Sequence, residues 1–247
     1  MREDKSMDNK IAMVAGHVDD ILFEIIKSLL EQNATVVVPV RSSDDILVLK
    51  KQVAGIDSGK LTTLLTDFPD EDKASMIINT IVEQYGQLDM VVGVFDHPHT
   101  SHALSRVRSG DWQQAIEENL TAYFIAGKVC IAAMKKKQHG MFLAISSIAS
   151  SAKDYSSALT NVMAVSRMEI TKQFYEEVKN SGVRFYHLLI DNHAGYCLFN
   201  KYVGSKAARA LAVGDFAIRL FKGQVKHPEK LFQNLPGFEY NAMSEAN

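Results

Sequence analysis

KIAMVAGHVDDILFEIIKSLLEQNATVVVPVR, residues 10–41, holds two apolar bursts with a helical stripe between them. The bursts are Ile11–Ala15 and Thr35–Val40. They hardly alternate with polar residues, as expected of strands covered on both faces of a parallel sheet. Between them Ile21, Leu22, Ile25, Ile26, Leu29 and Leu30 recur at helical spacing. Parallel neighbours need a crossover, and a helix of this length supplies it, so the stretch predicts a βαβ unit. The pattern then repeats. Further bursts stand at Leu61–Thr66, Met90–Phe95, Met141–Ser146 and Phe185–Ile190. Helical patterns fall at Ile77, Ile78, Ile81 and Tyr85, over Trp112–Lys136, and over Thr160–Asn180. The alternation predicts an α/β fold: one doubly wound domain over residues 1–247, its parallel sheet of six or seven strands flanked by helices on both faces. Such sheets take ligands beyond the carboxyl ends of their strands, where the strand order reverses, so the turns after the bursts matter most.

Composition narrows the function classes. The 247 residues are 47% hydrophobic and 23% charged, with a net charge of −2. This is ordinary for a globular domain and supplies no field for nucleic acid or an anionic membrane. The run Lys135-Lys136-Lys137 suits a helix C-terminus. Cys130 and Cys197 make neither a disulfide framework nor a metal spacing, which fits a reducing, cytoplasmic setting. The first residues carry no apolar signal-peptide core, and no apolar run nears the about 20 residues of a membrane span. Residues 1–9 and 236–247 read as tails.

The first turn reads Ala15-Gly16-His17-Val18-Asp19-Asp20-Ile21-Leu22. It resembles the glycine motif T-G-x-x-x-G-x-G of the short-chain dehydrogenase/reductase family. Gly16 matches the first glycine, whereas Asp20 and Leu22 stand at the second and third. Glycines there let the backbone approach a pyrophosphate seated on the helix N-terminus. Asp19 or Asp20 instead offers a carboxylate that caps the helix and repels that phosphate. The second strand runs into Arg41, which suits the 2′-phosphate of NADP by the resemblance and equally suits a solvated loop. Asp67 matches the family's aspartate beside the adenine, or caps the next helix.

The resemblance covers about residues 10–225 and weakens at each chemical motif. Tyr85-Gly86-Gln87-Leu88-Asp89 matches the lead-in to the fourth strand, but Gly93-Val94-Phe95-Asp96 replaces N-N-A-G. The helix through Asp111-Trp112 and Glu118-Asn119 matches closely and puts Asn119 on the catalytic asparagine, or on a residue kept for the helix bend. Gly140–Ser147 matches the fifth strand, with Ser147 on the catalytic serine. Continuing that register, with Thr171-Lys172 as support, Thr160 and Ala164 occupy the places of the Y-x-x-x-K tyrosine and lysine. A tyrosine titrating near pH 10 needs a nearby cation to donate its proton at neutral pH, and this pair supplies neither. Ile190-Asp191 replaces P-G after the sixth strand.

Two other tyrosines offer a proton donor. Tyr155 follows Ser147 but has Leu159 four residues on. Tyr202 and Lys206 do form Y-x-x-x-K, in the segment about 191–212 that corresponds to the family's lid, though such a pair alone is a weak signal. His17, Asp96, His97, His99, His102, Asp191 and His193 gather at predicted strand ends without a recognised ligand spacing, so no metal is expected. The leading expectation is a family relative without standard hydride transfer, acting as a binding or partner subunit. The alternative is an NADPH-dependent oxidoreductase of a carbonyl or alcohol that uses Ser147 and Asn119. NADP(H) is the cofactor implied if one is kept. The resemblance also implies a homo-oligomer, or a hetero-oligomer with an active relative, through the helices Trp112–Lys136 and Thr160–Asn180.

Overall fold

Seven parallel strands form one sheet in the order β3-β2-β1-β4-β5-β6-β7 in the computed structural model, which describes residues 7–66, 69–97, 103–148, 158–191 and 206–234. The strands are β1 (Ile11–Gly16), β2 (Thr35–Val40), β3 (Lys60–Leu65), β4 (Met90–Val94), β5 (Gly140–Ile148), β6 (Val183–Asp191) and β7 (Phe232–Asn234). The helices are α1 (Asp20–Glu31), α2 (Ser43–Gln52), α3 (Glu71–Tyr85), α4 (Ser109–Ala115), α5 (Ala122–Lys137), α6 (Ala158–Val178) and α7 (Lys206–Phe221). A short 3₁₀ turn at Leu104–Arg106 precedes α4.

Strand residues alternate between two cores. Ala12, Val14, Val36, Val38, Leu143 and Ile145 pack with α1 and α7 on one face. Met13, Ala15, Val37, Val91, Phe142 and Ala144 pack with α3, α5 and α6 on the other. Both faces of the central strands are therefore apolar, which is why their sequences do not alternate. β3 lies at the sheet edge and its residues are only partly buried, so it carries Thr62 and Thr63. At the opposite edge the three-residue β7 pairs with β6 through His187↔Phe232, Leu188↔Gln233 and Leu189↔Asn234.

Local chemistry sets the helix ends. Asp19 caps α1 by accepting from the Leu22 N–H at 2.9 Å. Ser42 and Asp45 form a reciprocal capping box on α2. Asp70 caps α3, and Gly86 ends it with φ of 78°. The run Lys135-Lys136-Lys137 occupies the last turn of α5, against the negative end of its dipole. At the opposite sheet end from the switch point, the buried Asp89 carboxylate accepts from the Ile11 N–H at 2.8 Å and from Lys10 at 3.2 Å. It thereby fixes the start of β1 against β4, which explains the strength of the 85–89 match.

Candidate functional site

The cleft begins where β1 and β4 part, at the reversal of strand order. Gly16 ends β1 with φ of +138°, and a Cβ there would lie 2.0 Å from the Val94 carbonyl oxygen. Only glycine fits this close crossing. The following His17 N–H donates to the same Val94 carbonyl at 2.9 Å. The first glycine of the motif is thus kept by packing between two strands, independently of any ligand.

Beyond this crossing lies a cleft of about 480 Å³ lined by Gly16, His17, Val18, Pro39, Arg41, Asp45, Thr66, Phe95, His97 and Glu118 among others. Its walls join the ends of β1, β2, β3 and β4. Arg41 and Gly16, both singled out from sequence, line it together. The His17 and His97 rings face each other with centroids 4.2 Å apart. Glu118 approaches His97 Nδ1 to 3.3 Å. Burial and the neighbouring His97 lower the pKa of His17, against the opposing pull of Asp19 and Glu118. Among the described residues no group of three His, Cys, Asp or Glu side chains could hold a metal ion.

The helical run from Ser109 to Lys137 is one rod with a fault in it. Between α4 and α5 the residues Ile116–Thr121 open into a π turn, centred near Asn119. Asn119 is 1% exposed. Its Nδ2 donates to the Ala115 carbonyl at 3.1 Å, the acceptor that a regular helix would give to the Asn119 main-chain N–H. Its Oδ1 accepts from the His97 N–H at 2.9 Å and from Arg167 Nη1 at 2.9 Å. Asn119 therefore ties the helical fault to the end of β4, and its side chain is engaged at both ends.

Arg167 is the residue that the sequence reading missed. It is 1% exposed and sits on the buried stripe of α6 between Met163 and Thr171. Its guanidinium donates to Ser146 Oγ at 2.9 Å, Asn119 Oδ1 at 2.9 Å and Asp96 Oδ1 at 2.8 Å. A charged residue on a helix's apolar stripe was the available signal. Asp96, noted only as a break in a motif and as one of several metal candidates, is its counter-ion. The cation and anion arrive together, because either alone at this depth would be costly.

The remaining candidates divide clearly. Thr160 is partly buried on α6, and Ala164 is fully buried against Leu189 with Met168 and Phe232 beside them. The lysine position thus faces an apolar cluster. Ser147 lies in β5, opposite Ile190 of β6, and its side chain is outside the described residues. Tyr155, Tyr202 and Asp67, and the side chain of Lys206 at the start of α7, also lie outside them, as do His99, His102 and His193.

A sheet of this order, with a cleft at its switch point and a helical fault at an asparagine, defines a dehydrogenase-type Rossmann domain. The chain belongs to the short chain dehydrogenase family, whose model matches residues 10–189. It is 22% identical over 142 residues to the 3-oxoacyl-[acyl-carrier-protein] reductase of Thermotoga maritima, a match covering 58% of this chain and 57% of that one. The chain thus spans a little over half the length of that relative. Its fold matches a short chain dehydrogenase from Mycobacterium smegmatis with a TM-score of 0.79 at 15% identity, over 97% of both chains. A metagenomic short-chain oxidoreductase in complex with NADP matches with a TM-score of 0.74 at 16% identity, over 93% of this chain and 96% of that one.

Proposed function

We propose that this family member does not perform tyrosine–lysine hydride transfer and serves as a ligand-binding or partner subunit. One observation carries the reading: α6 presents Thr160 and the buried Ala164 where the family's proton donor and lysine belong. The only buried cation of that helix, Arg167, is held by Asp96, Asn119 and Ser146. Ala164 packs on Leu189, so a lysine introduced there would bury its charge beside Arg167.

The nicotinamide cofactor fits the cleft at one end only. Arg41 at the end of β2 suits a 2′-phosphate, and supports NADP(H) over NAD(H) if either binds. At the other end Asp19 already takes a free N–H of α1, the group that would hold a pyrophosphate. Arg41 also supports the alternative, an NADPH-dependent carbonyl or alcohol oxidoreductase using Ser147 with Tyr155 or Tyr202 and Lys206. The test is nicotinamide absorbance with NADPH and a panel of ketones and aldehydes. Turnover is expected to lie far below the ordinary range of about 1–10³ s⁻¹. Turnover within that range, abolished in Ser147→Ala, would establish the oxidoreductase instead.

The partner role has its own support. Phe124 on α5 is 45% exposed and Val165 on α6 is 54% exposed, on the helices expected to associate. Light scattering over a dilution series is expected to show a dimer or larger species. A monomer at every concentration would remove self-association from the proposal.

A further inference from the structure

The carboxylates around the cleft set an electrostatic problem that its histidines can solve. Asp45 and Glu118 line it, and Asp19 stands beside His17. Arg41 is its permanent cation among the described residues. The N-terminus of α1 is capped by Asp19 and that of α2 by the Ser42–Asp45 box, so neither helix offers its positive end to an incoming anion. With both imidazoles neutral, the cleft repels phosphate. With one or both protonated, the balance of charge moves towards an anion.

The imidazoles are placed for this. His17 comes from the β1–α1 turn and His97 from the end of β4, and both line the cleft. Their rings lie 4.2 Å apart, too close for two positive charges without an anion between or beside them. Glu118 accompanies His97 at 3.3 Å. His17 makes no side-chain hydrogen bond among the described residues, so its ring nitrogens remain available to a ligand. The groups that act on His17 are His97 from β4, Glu118 from the π turn, Arg41 from β2 and Asp19 from its own turn. The opposite wall is apolar, with Pro39, Val40 and Val48, a surface for the flat face of a base.

We propose that the cleft takes a nucleoside phosphate, with its phosphate on the His17–His97 pair and its base on the Pro39–Val48 wall, and that a proton enters with it. The proton comes from solvent and settles on His17, where the phosphate's negative charge offsets the repulsion of His97. Glu118 keeps its charge beside His97 and prevents a phosphate from binding well while His17 is neutral. The inference rests on the reading that the cleft retains a ligand, and it adds what the ligand carries and what gates it. It differs from phosphate binding on a helix N-terminus, because the anion is met by titratable rings rather than by fixed N–H groups.

The experiment is calorimetric titration of the full chain with adenosine 5′-monophosphate, using adenosine as the uncharged control. Between about pH 8 and pH 6 the nucleotide is expected to gain about tenfold in affinity, within the limit of tenfold per pH unit for one linked proton. Near pH 7 the heat is expected to vary with the ionisation enthalpy of the buffer, reporting proton uptake. Adenosine should show neither effect. His17→Asn, whose melting temperature at pH 8 checks that it folds, is expected to lose both. The variant retains the titration of the nucleotide itself, so the difference between the two proteins isolates the imidazole. Equal pH dependence in both proteins overturns the proposal. So does the absence of nucleotide binding at every pH, which leaves the lack of NADPH turnover to stand or fall on its own assay.

Discussion

Replacing Arg167 by leucine is expected to lower the unfolding free energy by about 3–5 kcal/mol, the range for removing one partner of a buried pair. The guanidinium is 1% exposed and its counter-ion side chain, that of Asp96, is 13% exposed. Leucine fills much of the volume but leaves that carboxylate without its cation. It also leaves Ser146 Oγ without its donor from Arg167 and gives Asn119 Oδ1 only the His97 N–H. Arg167→Lys should recover part of the loss, since a point charge cannot reach three acceptors set around a planar fork. Arg167→Leu combined with Asp96→Ala should recover more, because no buried charge is then left alone. Urea unfolding of the four proteins measures this. If the single leucine variant stays within about 1 kcal/mol of the parent, the network is not what holds α6 to β4 and β5.

Mild acid is expected to destabilise the protein through His187, by up to about 1.4 kcal/mol for each pH unit below its unfolded value. His187 is fully buried on β6, and burial, with Arg167 nearby, lowers its pKa to about 3. The unfolded chain would protonate it near 6.5. The unfolded state therefore binds the extra proton between pH 6.5 and about 3. The neutral ring's contribution is complete above that window and is lost as pH falls through it.

The hydrogen bonds identify the neutral tautomer. Thr171 donates its hydroxyl hydrogen to the Arg167 carbonyl at 2.8 Å. It must then accept from Tyr123 at 2.6 Å and from His187 Nδ1 at 2.9 Å. His187 Nδ1 carries the hydrogen, and Nε2 is a buried acceptor with no partner among the described residues. A proton on Nε2 would be charged and unsolvated. His187→Leu should flatten this part of the pH dependence while Tyr123 and Arg167 keep Thr171 satisfied. Urea unfolding at about pH 7, 6 and 5 should show the parent losing stability faster than the variant. Equal slopes would assign the acid sensitivity to other groups.

These two sites show why part of the candidate site was illegible in the chain. Asp96 and Arg167 stand 71 residues apart and come from β4 and α6. Each alone looks like a broken motif or a surface charge. Their pairing depends on β5 bringing Ser146 between them and on the π turn presenting Asn119. His17 and His97 likewise meet only because β4 lies beside β1 rather than beside β3. The seventh strand escaped for a different reason. Three residues at a sheet edge carry too short a pattern to separate from a loop.

What the sequence determined by itself was set by short-range periodicity and by backbone constraints. Apolar runs covered on both faces, alternating with helical stripes, specify a doubly wound parallel sheet, and the first six strands lie within a few residues of their predicted places. Gly16, Arg41 and Asn119 were readable because their roles follow from local position: a strand end, the start of a turn, a bend in a helix. The tertiary structure alone decided the partners of charge. It buried Arg167 against Asp96, faced one histidine with another, and enclosed Ala164 in apolar packing. Such pairings are fixed by which strands become neighbours, and Coulomb energies depend on that distance in space, not on separation along the chain.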